Sequence, residues 1–236
     1  MNSDASNPAS PRLLSIQVAV PASYGSEGAI DPHDQPWTTA FYKTQVSGPV
    51  FVRTTNIEGD RQADLESHGG LHKAVLAYSA NHYPEWSSEL QLPDMPYGAF
   101  GENLTVDGLS EESVCIGDLL RIGPVVFEVS QPRQPCWKLA RRWRRSDLVR
   151  LTVRSGRTGW YFRVIEQGPI EAGMPIELIE RRNPAWTVGR ANRVMHHQRS
   201  NLALTLQLAD VPRLSPSWAN GLRERAERLQ GSPASA

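Results

Sequence analysis

"LLRIGPVVFEVSQPRQPCWKLARRWRR", residues 119–145, carries three different signals in a row. Two short runs rich in β-branched and aromatic residues meet at Gly123-Pro124, which reads as two strands and a turn. Pro132 and Pro135 then stiffen the chain on either side of Arg133 and deliver it onto Cys136. Pro135 disfavours helix at residue 134, so a helix is predicted to begin at or just after Cys136. "WKLARRWRR" continues with helical spacing, Leu139 and Trp143 sharing a face. A cysteine at a helix start meets unpaired N–H groups and the positive end of the dipole, which favour thiolate. Residues 138–157 add eight basic side chains against one acid, Asp147. Such a field is expected to favour thiolate further and to attract an anion such as phosphate. Two blander readings stand beside these: a small buried apolar cysteine, and arginines that form a solvated face.

Outward from this stretch the strand signals dominate. "LLSIQVAV", "GPVFVRT", "KAVLAYS", "ENLTV", "GWYFRVIE" and "MPIELIER" are each short and bounded by Gly, Pro or Asp-Gly turns such as Asp107-Gly108. Their irregular spacing predicts a mainly β fold, barrel or sandwich, rather than alternating βαβ units. One helix is expected from about Ser79 to Leu90, with Pro84 disturbing its first turns. After Asn183-Pro184 the character changes. Thr187, Asn201 and Ser215 are predicted helix N-caps, the last followed by Pro216 at the first helical position. The expected organisation is a polar tail over 1–12, a β domain over 13–184, a small three-helix domain over 185–230 and a tail over 231–236.

The totals are those of an ordinary globular chain: 236 residues, 39% hydrophobic, 25 basic and 25 acidic side chains. The balance hides an asymmetry, because residues 181–236 hold 9 Lys+Arg against 3 Asp+Glu, a net of +6, and the remainder carries −6. Two cysteines make neither a disulfide framework nor an iron–sulfur site. Cys115, in "SVCIGDLL", is expected at a strand edge as a structural residue. The polar start and the absence of any apolar run near the ~20 residues of a membrane span point to a cytoplasmic protein with no membrane contact.

Two further stretches are candidates for a site. "EGDRQADLESHGGLHKAV", residues 58–75, passes through His68-Gly69-Gly70 into a strand. The paired glycines, Gly70 included, permit positive φ and a close backbone approach to a ligand. His68 and His72 have i,i+4 spacing, but two glycines between them argue against a helical zinc site. Lys73 is placed either to contact an anion or to be exposed. In "AFGENLTVDGL", residues 99–109, Glu102 could pair with an arginine and Asn103 could bond a loop or ligand, although Gly-Glu-Asn is also good turn chemistry. His196 and His197 are expected on the surface.

Taken in order, "EGDRQAD…HGG…HKAVLAYS…HYPEW", "FGENLTVDGL" and "IGDLLRIG…FEVSQPRQPCWKL" resemble the MOSC domain family in its YiiM-like branch. The resemblance spans roughly residues 14–181, and 187–230 resembles the three-helix domain that follows in that branch. It implies a barrel-like MOSC fold and a molybdenum cofactor (molybdopterin). Cys136 matches the hallmark cysteine that supplies a thiolate to the metal. Arg133 is the preferred phosphate contact, and His68, Gly70, Lys73, Glu102 and Asn103 lie in matched motifs as cofactor or substrate candidates. The implied activity is reduction of N-hydroxylated compounds, such as N-hydroxylated base analogues, in detoxification. It calls for an external electron-donor protein, since the chain shows no cluster, flavin or haem site. The pyridoxal-phosphate domain of the cofactor sulfurases is absent from this chain. A sulfur carrier with a persulfide on Cys136 is the alternative. Nucleic acid is a weaker third partner, because the positive charge is spread over all three helices.

Overall fold

A computed structural model describes residues 10–64, 69–92 and 94–231. In chain order the strands are β1 (Arg12–Val18), β2 (Ala22–Tyr24), β3 (Trp37–Thr39), β4 (Thr44–Gln45), β5 (Val50–Val52) and β6 (Val75–Ser79). They continue with β7 (Leu104–Asp107), β8 (Leu119–Ile122), β9 (Val125–Pro132), β10 (Trp160–Glu166), β11 (Gly168–Ile170) and β12 (Ile176–Glu180). The helices are α1 (His82–Leu90), α2 (Trp137–Trp143), α3 (Leu148–Ser155), α4 (Val188–His196), α5 (Leu202–Ala209) and α6 (Pro216–Gly231).

Eight strands form one sheet in the order β12-β8-β9-β10-β6-β7-β1-β4. Its two ends meet. Arg12 bridges Pro175 just before β12, and the Leu13 N–H donates to the Met174 carbonyl at 2.9 Å while the Ile176 N–H donates to Pro11 at 2.8 Å. This seam closes the sheet into a barrel and removes its open edge. Pairing is antiparallel except between β6 and β7, which run parallel. Parallel neighbours need a crossover, and α1 supplies it. Pro84 is the third residue of that helix, where a missing N–H costs nothing.

Leu13, Ile16, Ala77, Leu104, Phe127, Trp160 and Phe162 fill the barrel. The same apolar cluster runs on through Val188, Ala191, Val194, Leu208, Trp218 and Leu222 of the three C-terminal helices. Thr187 and Asn201 cap α4 and α5, their side chains accepting from Arg190 and Leu204 at 3.0 Å, and the Ser215 hydroxyl accepts from Trp218 at 3.3 Å. A second cluster packs Tyr78, Trp86 and Phe100 with Leu139 and Leu148, and so seats α1, α2 and α3 on the barrel.

Three expectations are corrected. Arg12 belongs to β1 and so falls outside the tail expected over 1–12; residues 1–9 and 232–236 lie outside the described residues. The helix after Cys136 is not continuous through Arg145: Arg144 turns left-handed at φ 50° and caps α2 after seven residues. His196 is half-buried rather than on the surface, its Nε2 lacking a hydrogen-bond partner among the described residues.

Candidate cofactor cleft at Cys136

Pro132 ends β9, and the Arg133 N–H donates to Gly159 at 3.0 Å to prolong the pairing by one step. Cys136 then takes an extended conformation (φ −112°, ψ 167°) as the N-cap of α2, its carbonyl accepting from Leu139 at 3.1 Å. Leu139 is fully buried and anchors the helix behind the thiol. The result is a half-buried sulfur that makes no capping hydrogen bond and faces a cleft of about 610 Å³, continuous with solvent.

The cleft brings together residues from seven places in the chain. Thr39 ends β3 and Ala40 and Phe41 follow it, Lys43 precedes β4, and Asp60 to Ala63 form a loop. Gly69 and Lys73 precede β6, Gly101 and Asn103 precede β7, Arg133 and Cys136 follow β9, and Tyr161 stands in β10. Arg133 is buried, and its Nη1 has no hydrogen-bond partner among the described residues. A buried guanidinium nitrogen without an acceptor among the described residues is costly, and it suits an anionic ligand. Burial pushes the Lys73 ammonium down, against the attraction of Asp64. Burial raises the Tyr161 phenol, with Arg133 opposing it. Lys43 and Asp60 form a buried ion pair on the same wall, where burial lowers Lys43 and Asp60 holds it up.

The predicted residues separate in this geometry. Cys136, Arg133, Lys73 and Asn103 line the cleft. Asn103 is nevertheless committed: its Oδ1 accepts from Leu76 at 3.1 Å and its Nδ2 donates to Gln17 at 3.2 Å, so it ties β6 to β1 at the cleft floor. Glu102 is displaced from its expected role. It is buried away from the cleft lining and accepts from the Gly98 N–H at 2.6 Å, the Phe100 N–H at 3.1 Å, the Thr105 hydroxyl at 3.0 Å and the Tyr83 hydroxyl. No arginine hydrogen-bonds it, although Arg142 is close enough to feel its charge. Gly70 does adopt positive φ (76°), but its neighbour Gly69 is the one at the cleft. His68 lies outside the described residues. His72 accepts at Nδ1 from Arg163 at 2.6 Å. Among the described residues no three His, Cys, Asp or Glu side chains gather as a metal site.

The arginine field is also redirected. Of the eight basic residues after Cys136, only Lys138 lines the cleft. Arg141 donates to the His33 and Gln35 carbonyls, Arg142 to Phe41 and Gly98, and Arg144 pairs with Asp31 and Asp34 at 2.6 Å. Arg145 pairs with Asp147, and Arg157 pairs with Glu85 and Glu89. Cys115 is the structural thiol expected: buried, bridged to Thr187, its sulfhydryl raised by burial and by Asp118. Sequence reasoning did not single out Lys43, Asp60, Arg61 or Tyr161, although Asp60 and Arg61 stand inside the candidate stretch 58–75 and Tyr161 inside a clear strand.

The MOSC domain pattern matches residues 64–177, and the YiiM-like 3-alpha helix domain matches residues 186–228. The uncharacterised protein YflK of Bacillus subtilis is 43% identical over 191 residues, covering 81% of this chain and 86% of that protein. Protein YiiM of Escherichia coli is 35% identical over 206 residues, covering 86% and 91%. A protein of Gibberella moniliformis named a reductase is 42% identical over 178 residues, 74% of this chain but 32% of the relative. The crystal structure of YiiM from Geobacillus stearothermophilus superposes with a TM-score of 0.76 at 35% identity, over 92% of this chain and 99% of that one. The closed barrel, the appended helices and these relatives lead to one conclusion: the chain belongs to the MOSC domain family, in its YiiM-like branch.

Proposed function

We propose that the chain is a molybdenum-cofactor-dependent oxidoreductase that reduces N-hydroxylated compounds, with Cys136 as the thiolate ligand of the metal. MOSC domains are associated with molybdenum-cofactor binding, and one relative is named a reductase. The observation that carries the reading is the presence in one cleft of half-buried Cys136 and of buried Arg133, whose Nη1 has no hydrogen-bond partner among the described residues. A soft thiolate suits a redox metal, and a fixed cation with nearby lysines suits the phosphate of a pterin cofactor. The residues present therefore fit the group.

Cys136 would hold the metal, while Arg133, Lys73 and Lys138 would hold the phosphate. The group supplies a two-electron couple, which is what cleavage of N–O to N–H consumes together with two protons. Arg133 is held by the end of β9 and needs no rearrangement to meet an anion. Asn103 fixes the floor of the cleft through backbone contacts. Lys43 Nζ holds a proton against Asp60 on the cleft wall, and its burial eases release of that proton. The electrons come from an external donor protein.

Metal analysis of protein from a cofactor-competent host, wild type beside Cys136→Ser, tests this. Stoichiometric molybdenum in the first and its loss in the second is the expected result, with reduction of an N-hydroxylated base analogue only in the first. Molybdenum in neither, together with a persulfide mass on Cys136, would favour a sulfur carrier.

A further inference from the structure

We infer that the Thr158–Gly159 step, held by Glu111 and by Asn192 of α4, positions the loop from Arg133 to Cys136, so that the appended helices tune anion binding in the cleft. The inference deepens the reading above, since Arg133 and Cys136 are the groups that it places.

Residues 133–135 have left β9 and have not yet reached α2. Among the described residues, the bond from the Arg133 N–H to the Gly159 carbonyl, at 3.0 Å, is the one hydrogen bond that their backbone makes. Proline rings at 132 and 135 limit the freedom of the loop itself. Where Gly159 lies therefore decides where the Arg133 guanidinium and the Cys136 sulfur stand.

Gly159 is gripped from three sides. Its N–H donates to Glu111 Oε1 at 2.7 Å, and the other oxygen of that carboxylate bonds His82 Nε2 at 2.6 Å. Its carbonyl also accepts from the Thr158 hydroxyl at 3.0 Å. It takes φ 74°, and a Cβ there would collide with the Ala77 carbonyl of β6, so the chain is pressed against the sheet where glycine alone fits. Both polar grips lead to α4. Asn192 Nδ2 donates to Thr158 Oγ1 at 2.8 Å, and the Gly189 N–H donates to the Glu111 carbonyl at 2.7 Å. Glu111, Thr158 and Asn192 are all buried, where water does not replace a lost partner. Val188, Ala191 and Val194 already seat α4 in the shared apolar core. Apolar contact is non-directional and does not aim a carbonyl; hydrogen bonds do. Three of them in series join Asn192 to Arg133.

The test uses the cofactor-free full chain, with amide hydrogen exchange at Arg133 and calorimetric titration with inorganic phosphate as its two readouts. Thr158→Val keeps the shape of the side chain and removes its hydroxyl. It is expected to speed exchange at Arg133 and to weaken phosphate binding, each about three- to tenfold, as loss of one buried hydrogen bond implies. Thr158→Ser should restore both. Asn192→Ala should act in the same direction from α4, and it carries the test if Thr158→Val does not fold. Val194→Ala removes packing from the same helix; it should lower the melting temperature and leave exchange at Arg133 and phosphate affinity unchanged. Wild-type exchange and affinity in Thr158→Val and Asn192→Ala would overturn the inference. So would an equal loss in Val194→Ala, which would make the helices a general support. Absence of molybdenum from every preparation would count against the reductase reading alone, because neither readout needs the cofactor.

Discussion

Arg133 shows at the scale of one residue how a binding role and stability pull apart. Its buried Nη1 faces no acceptor among the described residues. Arg133→Met should raise the melting temperature of the cofactor-free protein, by about 1–2 kcal/mol of stability, and at the same time reduce molybdenum retention. Calorimetry and metal analysis on the same preparations check both; a lower melting temperature would mean that Arg133 is a structural cation. Cys136 stood out in the sequence because two prolines fix the local backbone and local rules then apply, whereas Arg133 was reached through the family resemblance. Lys43 and Asp60 were not legible. They sit in irregular chain with no periodicity, and burial of their ion pair depends on strands far away in sequence. Glu102 was placed in the right motif with the wrong partners, since four donors from nearby loops satisfy it and a linear reading cannot see how a loop folds back.

Among the elements, the long β-branched runs and the capped helices were readable, since each carries a local rule that the fold obeys. The strands β2, β3 and β4 were not, being two or three residues long and too short to alternate. The break between α2 and α3 was hidden for a different reason: a non-glycine residue, Arg144, takes the left-handed cap. Helix α4 supplies the element-scale prediction. Burial, with His197, Arg225 and Arg199 nearby, lowers the His196 pKa from about 6.5 to about 4. Above that window the imidazole is neutral whether the chain is folded or not. As pH falls through it, the unfolded chain takes up the proton first, so stability is lost between about 6.5 and about 4. His196→Phe should flatten this part of the stability-against-pH curve in denaturant titrations. An unchanged slope would assign the acid sensitivity to other groups.

At the scale of the whole molecule, the barrel and the three helices share one apolar cluster rather than meeting at a polar seam. Glu128 on β9 reinforces the join: buried, it receives Arg163 at 2.8 Å, Arg182 at 2.9 Å and Arg213 at 2.7 Å, from β10, the segment after β12 and the approach to α6. We therefore propose that the 185–230 segment is an integral cover of the barrel and not a detachable domain. A chain ending at residue 184 should expose the apolar surface that Val188, Val194, Trp218 and Leu222 now cover, and aggregate. A monodisperse truncated protein with cooperative unfolding would refute this. Described residues give no helix long and apolar enough to cross a membrane. The closing seam between Arg12 and Pro175 has a consequence in time. The first strand of the barrel leaves the ribosome long before the segment that seals it, and at about 5–20 residues per second the wait is on the order of ten seconds. During that interval the nascent sheet keeps one edge unpaired, so the protein's yield in the cell depends on what shields that edge until synthesis reaches β12.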